Sequence, residues 1–339
     1  MTRRHTGRAQ AWAELLRVSA LFSVPGDALA GAAAAGARPG RGTLCAIGAS
    51  LCLYEAGMAL NDWADRAEDA AERPHRPLPS GRIAPSAALA ASAALTAAGL
   101  ALASRAGRPP LAVATALAAT VWAYDLGLKH TPAGPATMAT ARALDLLLGA
   151  TASTGEKGGP HRRRAVHALP SAALLGAHTY AVTAVSRHET QGGSTRTPLA
   201  ALAVTLAVAG AASGEVLGAR PDTTVSSPSG PPAPHPHPTL PSRRPLPSSW
   251  PSPSRRPLPS RGLGPLLALA YARTPATLLL HAALNPSAAL TERAVGGGIR
   301  ATIPLQAALA ARAGAPGTAL ALLGLVPAAR ALARKVSPT

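Results

Sequence analysis

Carboxylates are scarce in this chain, and a third of them fall in one short segment. The 339 residues contain 15 Asp and Glu, and five of these occur between positions 62 and 72. They are Asp62, Asp65, Glu68, Asp69 and Glu72. On a continuous helix, Asp62, Asp65 and Asp69 would share one face. Crowded carboxylates stay ionised most easily beside cations, and a group of hard oxygen ligands suits Mg²⁺ bound together with a substrate diphosphate. The alternative is a solvated helix end of mixed charge, because Arg66 and Arg73 alternate with the acids.

A loop rich in arginine and proline follows the acidic segment. It reads Arg73-Pro74-His75-Arg76-Pro77-Leu78-Pro79-Ser80-Gly81-Arg82. The prolines and the glycine prevent a helix here, so the loop has a shape of its own. Arginine matches phosphate oxygens with a planar fork, which makes Arg73, Arg76 and Arg82 candidate diphosphate ligands. Anchoring of the loop at a membrane surface is the alternative for each arginine.

A second candidate element is Tyr124-Asp125-Leu126-Gly127-Leu128-Lys129. Lys129 is one of only three lysines in the chain, which favours a specific role for its charge. Asp125 and Lys129 are four residues apart, so a plain helical ion pair is the alternative interpretation.

Hydrophobic blocks must position these residues. A membrane-spanning helix needs about 20 mainly apolar residues, and blocks of about that length recur along the chain. They lie near 18–36, 43–61, 84–104, 109–128, 133–152, 166–186, 198–217 and 263–283, with a last pair at 298–312 and 315–333. The pattern predicts an all-α, multi-pass membrane bundle of about nine transmembrane helices, in which the last pair counts as one span and a half-span.

Composition supports a membrane protein and argues against two other classes. Only 14% of residues are charged, whereas soluble domains usually carry about 25%. The net charge of +18 raises the question of nucleic-acid binding, but the arginines are scattered and no aromatic residues are interleaved with them. We therefore expect a lipid bilayer and no nucleic acid among the partners, with basic loops that face anionic lipid.

The chain divides into three parts by composition. Residues 1–217 are predicted to form membrane helices 1–7 with the metal and diphosphate site, and residues 263–339 to form the last helices of the same bundle. Residues 218–262 are rich in Pro, Ser and Arg. Such a segment buries too little apolar surface to fold, so it is predicted to be a disordered inserted loop.

The predicted topology brings the candidate residues to one side of the membrane. If the spans are counted as above, residues 62–83, 125–132 and 187–197 are the second, fourth and sixth connections. Even-numbered connections share one side, so the acids, Lys129 and Glu189 would face a common pocket mouth.

Taken together, the two motifs resemble the UbiA-type intramembrane prenyltransferases. The resemblance rests on Asn61-Asp62-x-x-Asp65-x-x-x-Asp69 with Arg76-Pro77-Leu78-Pro79-Ser80-Gly81, and on Tyr124 with Lys129. It implies a Mg²⁺-dependent transfer of a prenyl group from an isoprenyl diphosphate to an acceptor. By the same resemblance, Asn61, Asp62, Asp65 and Asp69 hold the metal and diphosphate, and Lys129 meets the diphosphate. Substrate-binding roles are expected for Asn61, Arg76, Arg82, Tyr124 and Arg187.

The match fails at the family's second aspartate-rich motif, where this chain reads Ser186-Arg187-His188-Glu189. Either Glu189 alone supplies the second metal ligand, or Arg187 replaces that ion with a fixed positive charge. This pattern resembles a divergent bacterial, EboC-like subgroup. Two rival functions stay open: a lipid or isoprenoid carrier or transporter that uses the same pocket, and an inactive membrane scaffold.

Overall fold

The computed structural model describes residues 2–17, 23–154, 165–189, 194–214 and 262–336, and within them all regular structure is helical. The all-α prediction is therefore confirmed. The predicted disordered insertion at 218–262 lies outside the described residues except for Gly262. The helices are α1 (Thr2–Leu15), α2 (Val24–Ala34), α3 (Arg41–Ala64), α4 (Arg66–Glu72), α5 (Pro85–Ala106), α6 (Arg108–Ala123), a π-helical turn (Tyr124–Leu128), α7 (Gly134–Thr154), α8 (Leu169–Ser186), α9 (Arg196–Ser213), α10 (Leu263–Leu284), α11 (Ala288–Arg312) and α12 (Pro316–Val336).

Proline marks the start of several of these helices. A proline occupies the first or second position of α2, α5, α6 and α8. The first turn of a helix tolerates proline because its N–H groups have no partner inside the helix. Prolines within otherwise similar Ala- and Leu-rich sequence thus explain where one helix ends and the next begins.

In the described part of the chain, five helices are long and apolar enough to cross a membrane. They are α3, α5, α6 with its π turn, α9 and α10. The predicted count of nine spans is not confirmed. In the described part of the block predicted at 18–36, which starts at residue 23, the α-helix is the eleven-residue α2. The block predicted to begin at 298 is a full 25-residue helix, α11, that begins at Ala288. The first turns of this helix are polar and include Glu292 and Arg293, so the apolar block of the sequence begins later than the helix does.

Two hydrophobic clusters share α2 and α7. In one cluster, α3, α5 and α6 pack against these two helices. In the other, the five helices from α8 through α12 pack against them. Helices α2 and α7 approach each other closely because glycines face backbone at their crossing. A Cβ added to Gly31 would lie 2.0 Å from the Leu146 carbonyl oxygen, and one added to Gly149 would lie 2.3 Å from the Ala28 Cα. Small residues allow such close approach in lipid, where burial alone drives helices together only weakly.

Gly149→Ala is expected to destabilise the protein by about 1–3 kcal/mol, because the new methyl group would overlap the backbone of α2. Thermal unfolding in detergent, followed by circular dichroism, measures the change. Gly210→Ala is the matched control, because Gly210 lies on α9 with no atom within 4 Å of an added Cβ. An unchanged melting temperature for Gly149→Ala would contradict the packing described here.

Candidate functional site

A cavity of about 160 Å³ lies between α3, α6 and α7 and reaches Asn61, which adjoins the acidic segment. Its walls are apolar in the middle, where Leu53, Met58, Leu117 and Val121 contribute. Polar residues line both ends. The end near the acidic segment has Asn61, Tyr124 and Asp125, and we call this end, together with the neighbouring Asp62, Asp65 and Asp69, the mouth. The opposite end, which we call the floor, has Ser50, Arg142 and Asp145. An apolar cavity with a few convergent polar groups is the usual form of a small-molecule site.

The acidic segment is not one continuous helix, so Asp62, Asp65 and Asp69 do not share the single helix face that a continuous helix would give them. Helix α3 ends at Ala64, Asp65 has a ψ of 4°, and α4 starts at Arg66. Asp62 therefore belongs to the last turn of α3, whereas Asp69 belongs to α4. Both aspartates are nonetheless buried, at 4% and 2% exposure.

Arg76 holds Asp62 and Asp69 together across the helix break. The same guanidinium nitrogen lies 2.7 Å from Asp69 Oδ2 and 3.6 Å from Asp62 Oδ1. Arg73 adds a second contact, 3.4 Å from Asp69 Oδ1. The two carboxylates thus flank the Arg76 guanidinium, and they reach it from two helices.

Lys129 and Asn61 connect the second predicted element to the first. Lys129 Nζ contacts the Asp65 carboxylate, and Asn61 Nδ2 donates a hydrogen bond of 3.1 Å to Asp125 Oδ1. The alternative pairing of Asp125 with Lys129 is therefore absent from the hydrogen bonds and ion pairs of these two described residues. Lys129 therefore lies at the acidic segment, beside Asp65.

A π-helical turn joins Tyr124 to Lys129. The Lys129 N–H donates to the Tyr124 carbonyl oxygen at 2.9 Å, which is an i→i+5 bond. Single π turns inside α-helices occur frequently at functional sites. The extra residue in this turn places Tyr124 and Asp125 on the cavity wall while Lys129 reaches Asp65.

Arg17 is a site residue that the sequence did not reveal. Its NH2 lies 3.3 Å from Asp62 Oδ1. Its φ of 47° is the one positive value for a non-glycine residue in the described ranges. A left-handed backbone costs free energy for a residue with a Cβ, and such strain is found preferentially at functional sites. A lone arginine beyond the acidic run gave no sequence signal for this role.

Arg17→Gln is expected to raise the KM for an isoprenyl diphosphate about 10-fold or more, because a hydrogen bond to a charged group is worth about 1.5–3 kcal/mol. Initial rates at varied diphosphate concentration measure it. Arg38→Gln removes the same charge from an exposed residue beyond the other end of α2 and serves as the control. Equal KM values for the two variants would remove Arg17 from the site.

Arg82, whose substrate-binding role stays a prediction, holds α1 against the loop. Its NH1 and NH2 donate to the two Glu14 carboxylate oxygens at 2.7 and 3.1 Å, and NH2 also donates to the His75 carbonyl oxygen at 2.6 Å. Leu78 and Ile83 of the loop are buried in a cluster with Leu15 of α1. The loop is thereby fixed from both sides, which positions Arg76 at the carboxylates.

The third predicted element, which contains Arg187 and Glu189, lies close to the other two. Arg187 NH1 donates to the Thr131 carbonyl oxygen, next to the Lys129 turn. Burial raises the pKa of Glu189, repulsion by Glu292 raises it further, and the nearby Arg73 lowers it. These interactions bring the third predicted element close to the other two, since Arg73 belongs to the loop after the acidic segment. Their common side of the membrane stays a prediction.

The residues at the mouth fit a divalent cation. Carboxylate oxygens, which divalent cations such as Mg²⁺ prefer as ligands, are the available ligand atoms. The positively charged Arg76 guanidinium already lies between Asp62 and Asp69. Asp65, Glu68 and His130 form a further group whose ligand atoms lie within 4.8 Å of one another. Sequence reasoning missed Glu68 and His130 as ligands, although Glu68 lies in the acidic run and His130 adjoins Lys129.

Comparison with known proteins gives the family. Residues 21–217 match the model of the UbiA prenyltransferase family. The chain belongs to this family. The family is membrane-integral, in keeping with the apolar helices of this chain. The predicted EboC-like subgroup stays a prediction.

Two curated relatives match part of the chain. Both are digeranylgeranylglyceryl phosphate synthases: the Methanopyrus kandleri protein is 32% identical over 128 residues, and the Korarchaeum cryptofilum protein is 34% identical over 149 residues. The matches cover 36% and 43% of this chain, and 45% and 53% of the relatives. The matched part thus spans about half the length of these relatives.

A solved UbiA homologue from Aeropyrum pernix K1 has the same fold. It superposes with a TM-score of 0.59 at 15% sequence identity, over 85% of this chain and 96% of that protein. The UbiA-like fold that the sequence predicted is therefore confirmed.

Proposed function

We propose that this chain is a multi-pass prenyltransferase of the cell membrane that moves an isoprenyl group from an isoprenyl diphosphate to an acceptor. One observation carries the proposal: an apolar cavity is lined by Asn61 and Asp125, directly beside a cluster of carboxylates that are paired with cations. Asn61 and Asp125 line that cavity and are bonded to each other, and Asp62 adjoins Asn61. Family membership supports the same chemistry.

The mouth binds the diphosphate. Asn61, Asp62, Asp65 and Asp69 would hold Mg²⁺, with Glu189 as a further predicted ligand. When bound, this ion supplies positive charge that stabilises the leaving diphosphate. Arg76, Arg17 and Lys129 are paired with carboxylates in the structure. Because each of these side chains carries several N–H donors, they can also bind phosphate oxygens.

The cavity controls the carbon chemistry. The C–O bond of the donor breaks, and its electron pair leaves with the diphosphate. The allylic cation that remains lies among apolar walls that keep water from it. A lone pair of the acceptor then forms the new bond to this carbon. The Asp125 carboxylate lines the cavity at the mouth end. It takes the proton that the acceptor loses.

Incubation with a labelled isoprenyl diphosphate tests the proposal. Purified protein in lipid nanodiscs is expected to release diphosphate and form a prenylated product when Mg²⁺ and an acceptor extract are present. Omission of Mg²⁺ should abolish both. A carrier would return the labelled diphosphate intact, and an inactive scaffold would neither bind nor consume it, so either result would contradict the proposal.

A further inference from the structure

The cavity is closed at its floor, because two of its walls meet there. Ser50 on α3 donates a hydrogen bond through Oγ to Asp145 Oδ1 on α7, so this bond spans the end of the cavity. Further from the mouth, α3 touches α7 directly: a Cβ added to Gly42 would lie 2.1 Å from the Ala152 carbonyl oxygen. The space between the two helices therefore ends at the bond between Ser50 and Asp145.

Buried charged groups hold the floor in place. Arg142, which completes the floor, has its Nε 3.0 Å from Asp27 Oδ2 on α2. Asp27 is fully buried and also accepts a hydrogen bond of 2.7 Å from Gln306 Nε2 on α11. Separation of such groups leaves a charge without a partner in a low dielectric, which is strongly destabilising. A hydrocarbon offers neither a charge nor a hydrogen bond, so a prenyl chain cannot replace these contacts.

The apolar stretch between the mouth and the floor has a definite length. Asn61 and Ser50 line its two ends from the same helix, α3. At a rise of about 1.5 Å per residue, they lie about 16 Å apart along the helix axis. Leu53, Leu117 and Val121 line the walls between them. A cavity volume of about 160 Å³ leaves no space in which a longer chain could fold back on itself.

This length corresponds to a small number of isoprene units. Under the proposed function the diphosphate is held at the mouth, so the prenyl chain extends from the mouth toward the floor. An extended isoprene unit adds four main-chain carbon–carbon bonds of about 1.5 Å each, which together advance about 5 Å along a zigzag chain. Three units therefore reach about 15 Å, and a fourth would extend about 5 Å into the floor.

We propose that the bond between Ser50 and Asp145 limits the donor to at most three isoprene units. These two side chains are then specificity-determining residues, which exclude C20 and longer isoprenyl diphosphates from the cavity. The inference rests on the proposed prenyl transfer, because it describes the donor of that reaction.

Displacement of a labelled C10 diphosphate measures the length limit without an acceptor. The protein in nanodiscs with Mg²⁺ binds the labelled donor, and unlabelled C5, C10, C15 and C20 isoprenyl diphosphates compete with it. Empty nanodiscs give the share of each compound that partitions into lipid. The C20 diphosphate is expected to bind at least 10-fold more weakly than the C10 diphosphate.

The outcomes separate the length limit from the reaction. Equal affinities for the C10 and C20 diphosphates would overturn the inference and leave prenyl transfer intact. Binding without any prenylated product in the presence of the acceptor extract would overturn the proposed function and leave the length limit intact. Failure of every diphosphate to bind would overturn both.

Ala141→Leu shortens the apolar stretch and tests the length argument directly. Ala141 lines the cavity from α7, one helical turn and about 6 Å closer to the mouth than Asp145. The variant is expected to weaken binding of the C15 diphosphate at least 10-fold, while the affinity for the C5 diphosphate stays within 2-fold. Ala136→Leu is the matched control, because it makes the same change at an exposed position of α7. Unchanged affinity for the C15 diphosphate in Ala141→Leu would refute the assignment.

Ser50→Ala tests the bond itself and keeps every charge of the floor. Without the hydroxyl group, α3 no longer holds the Asp145 carboxylate across the end of the cavity. The ratio of C10 to C20 affinity is expected to fall at least 5-fold. A ratio equal to that of the unchanged protein would show that this bond does not set the length of the donor.

Discussion

Asp69→Asn is expected to lower Mg²⁺-dependent diphosphate release by about 100-fold or more. Asp69 is 2% exposed and bonds to Arg76 at 2.7 Å, so it combines a candidate metal ligand with the group that holds the loop in place. Loss of one preorganised group that stabilises developing charge costs about 10²–10³ in rate. Release of labelled diphosphate from the nanodisc-bound enzyme, at saturating donor, measures the effect.

Glu72→Gln is the matched control for Asp69→Asn. Glu72 lies on the same short helix, α4, and is exposed, so the change removes an equal charge away from the mouth. Thermal unfolding of both variants separates catalytic loss from misfolding. A folded Asp69→Asn protein with wild-type release would show that the carboxylate cluster does not bind the metal and diphosphate.

Lys129→Met is expected to lower the rate of diphosphate release by about 100-fold. Lys129 follows the π turn and contacts Asp65, so its ammonium lies at the mouth where charge develops on the leaving group. Methionine keeps most of the side-chain volume and removes the charge. We expect the loss mainly in kcat, because an interaction that strengthens as the C–O bond breaks acts on the transition state more than on bound substrate.

Arg105→Met controls for the loss of one positive charge, since Arg105 lies exposed in the last turn of α5, at the end away from the mouth. Its kcat should equal that of the wild type. If Lys129→Met changes only KM, Lys129 contributes to binding and not to departure of the diphosphate. If neither value changes, the ammonium has no role in the reaction.

The sequence by itself determined the class of fold and the main members of the mouth. Repeated apolar blocks with little charge between them predict membrane helices, because that signal is local and needs no knowledge of packing. The acidic run and the Arg/Pro loop predict a site for a cation and a diphosphate, since most of the candidate ligands are neighbours in sequence. The side of the bundle on which they lie followed from counting connections.

Only the tertiary structure decided which groups pair and where the cavity ends. Arg17 meets Asp62, Lys129 meets Asp65, and Arg142 meets Asp27 over separations of 45, 64 and more than 100 residues. Such pairs depend on how helices cross, and the blocks are too alike in Ala, Leu and Gly to specify their neighbours. Gly31 and Gly149 let α2 press against α7, which brings Asp27 of α2 to Arg142 of α7, and no periodicity in the sequence reveals this contact.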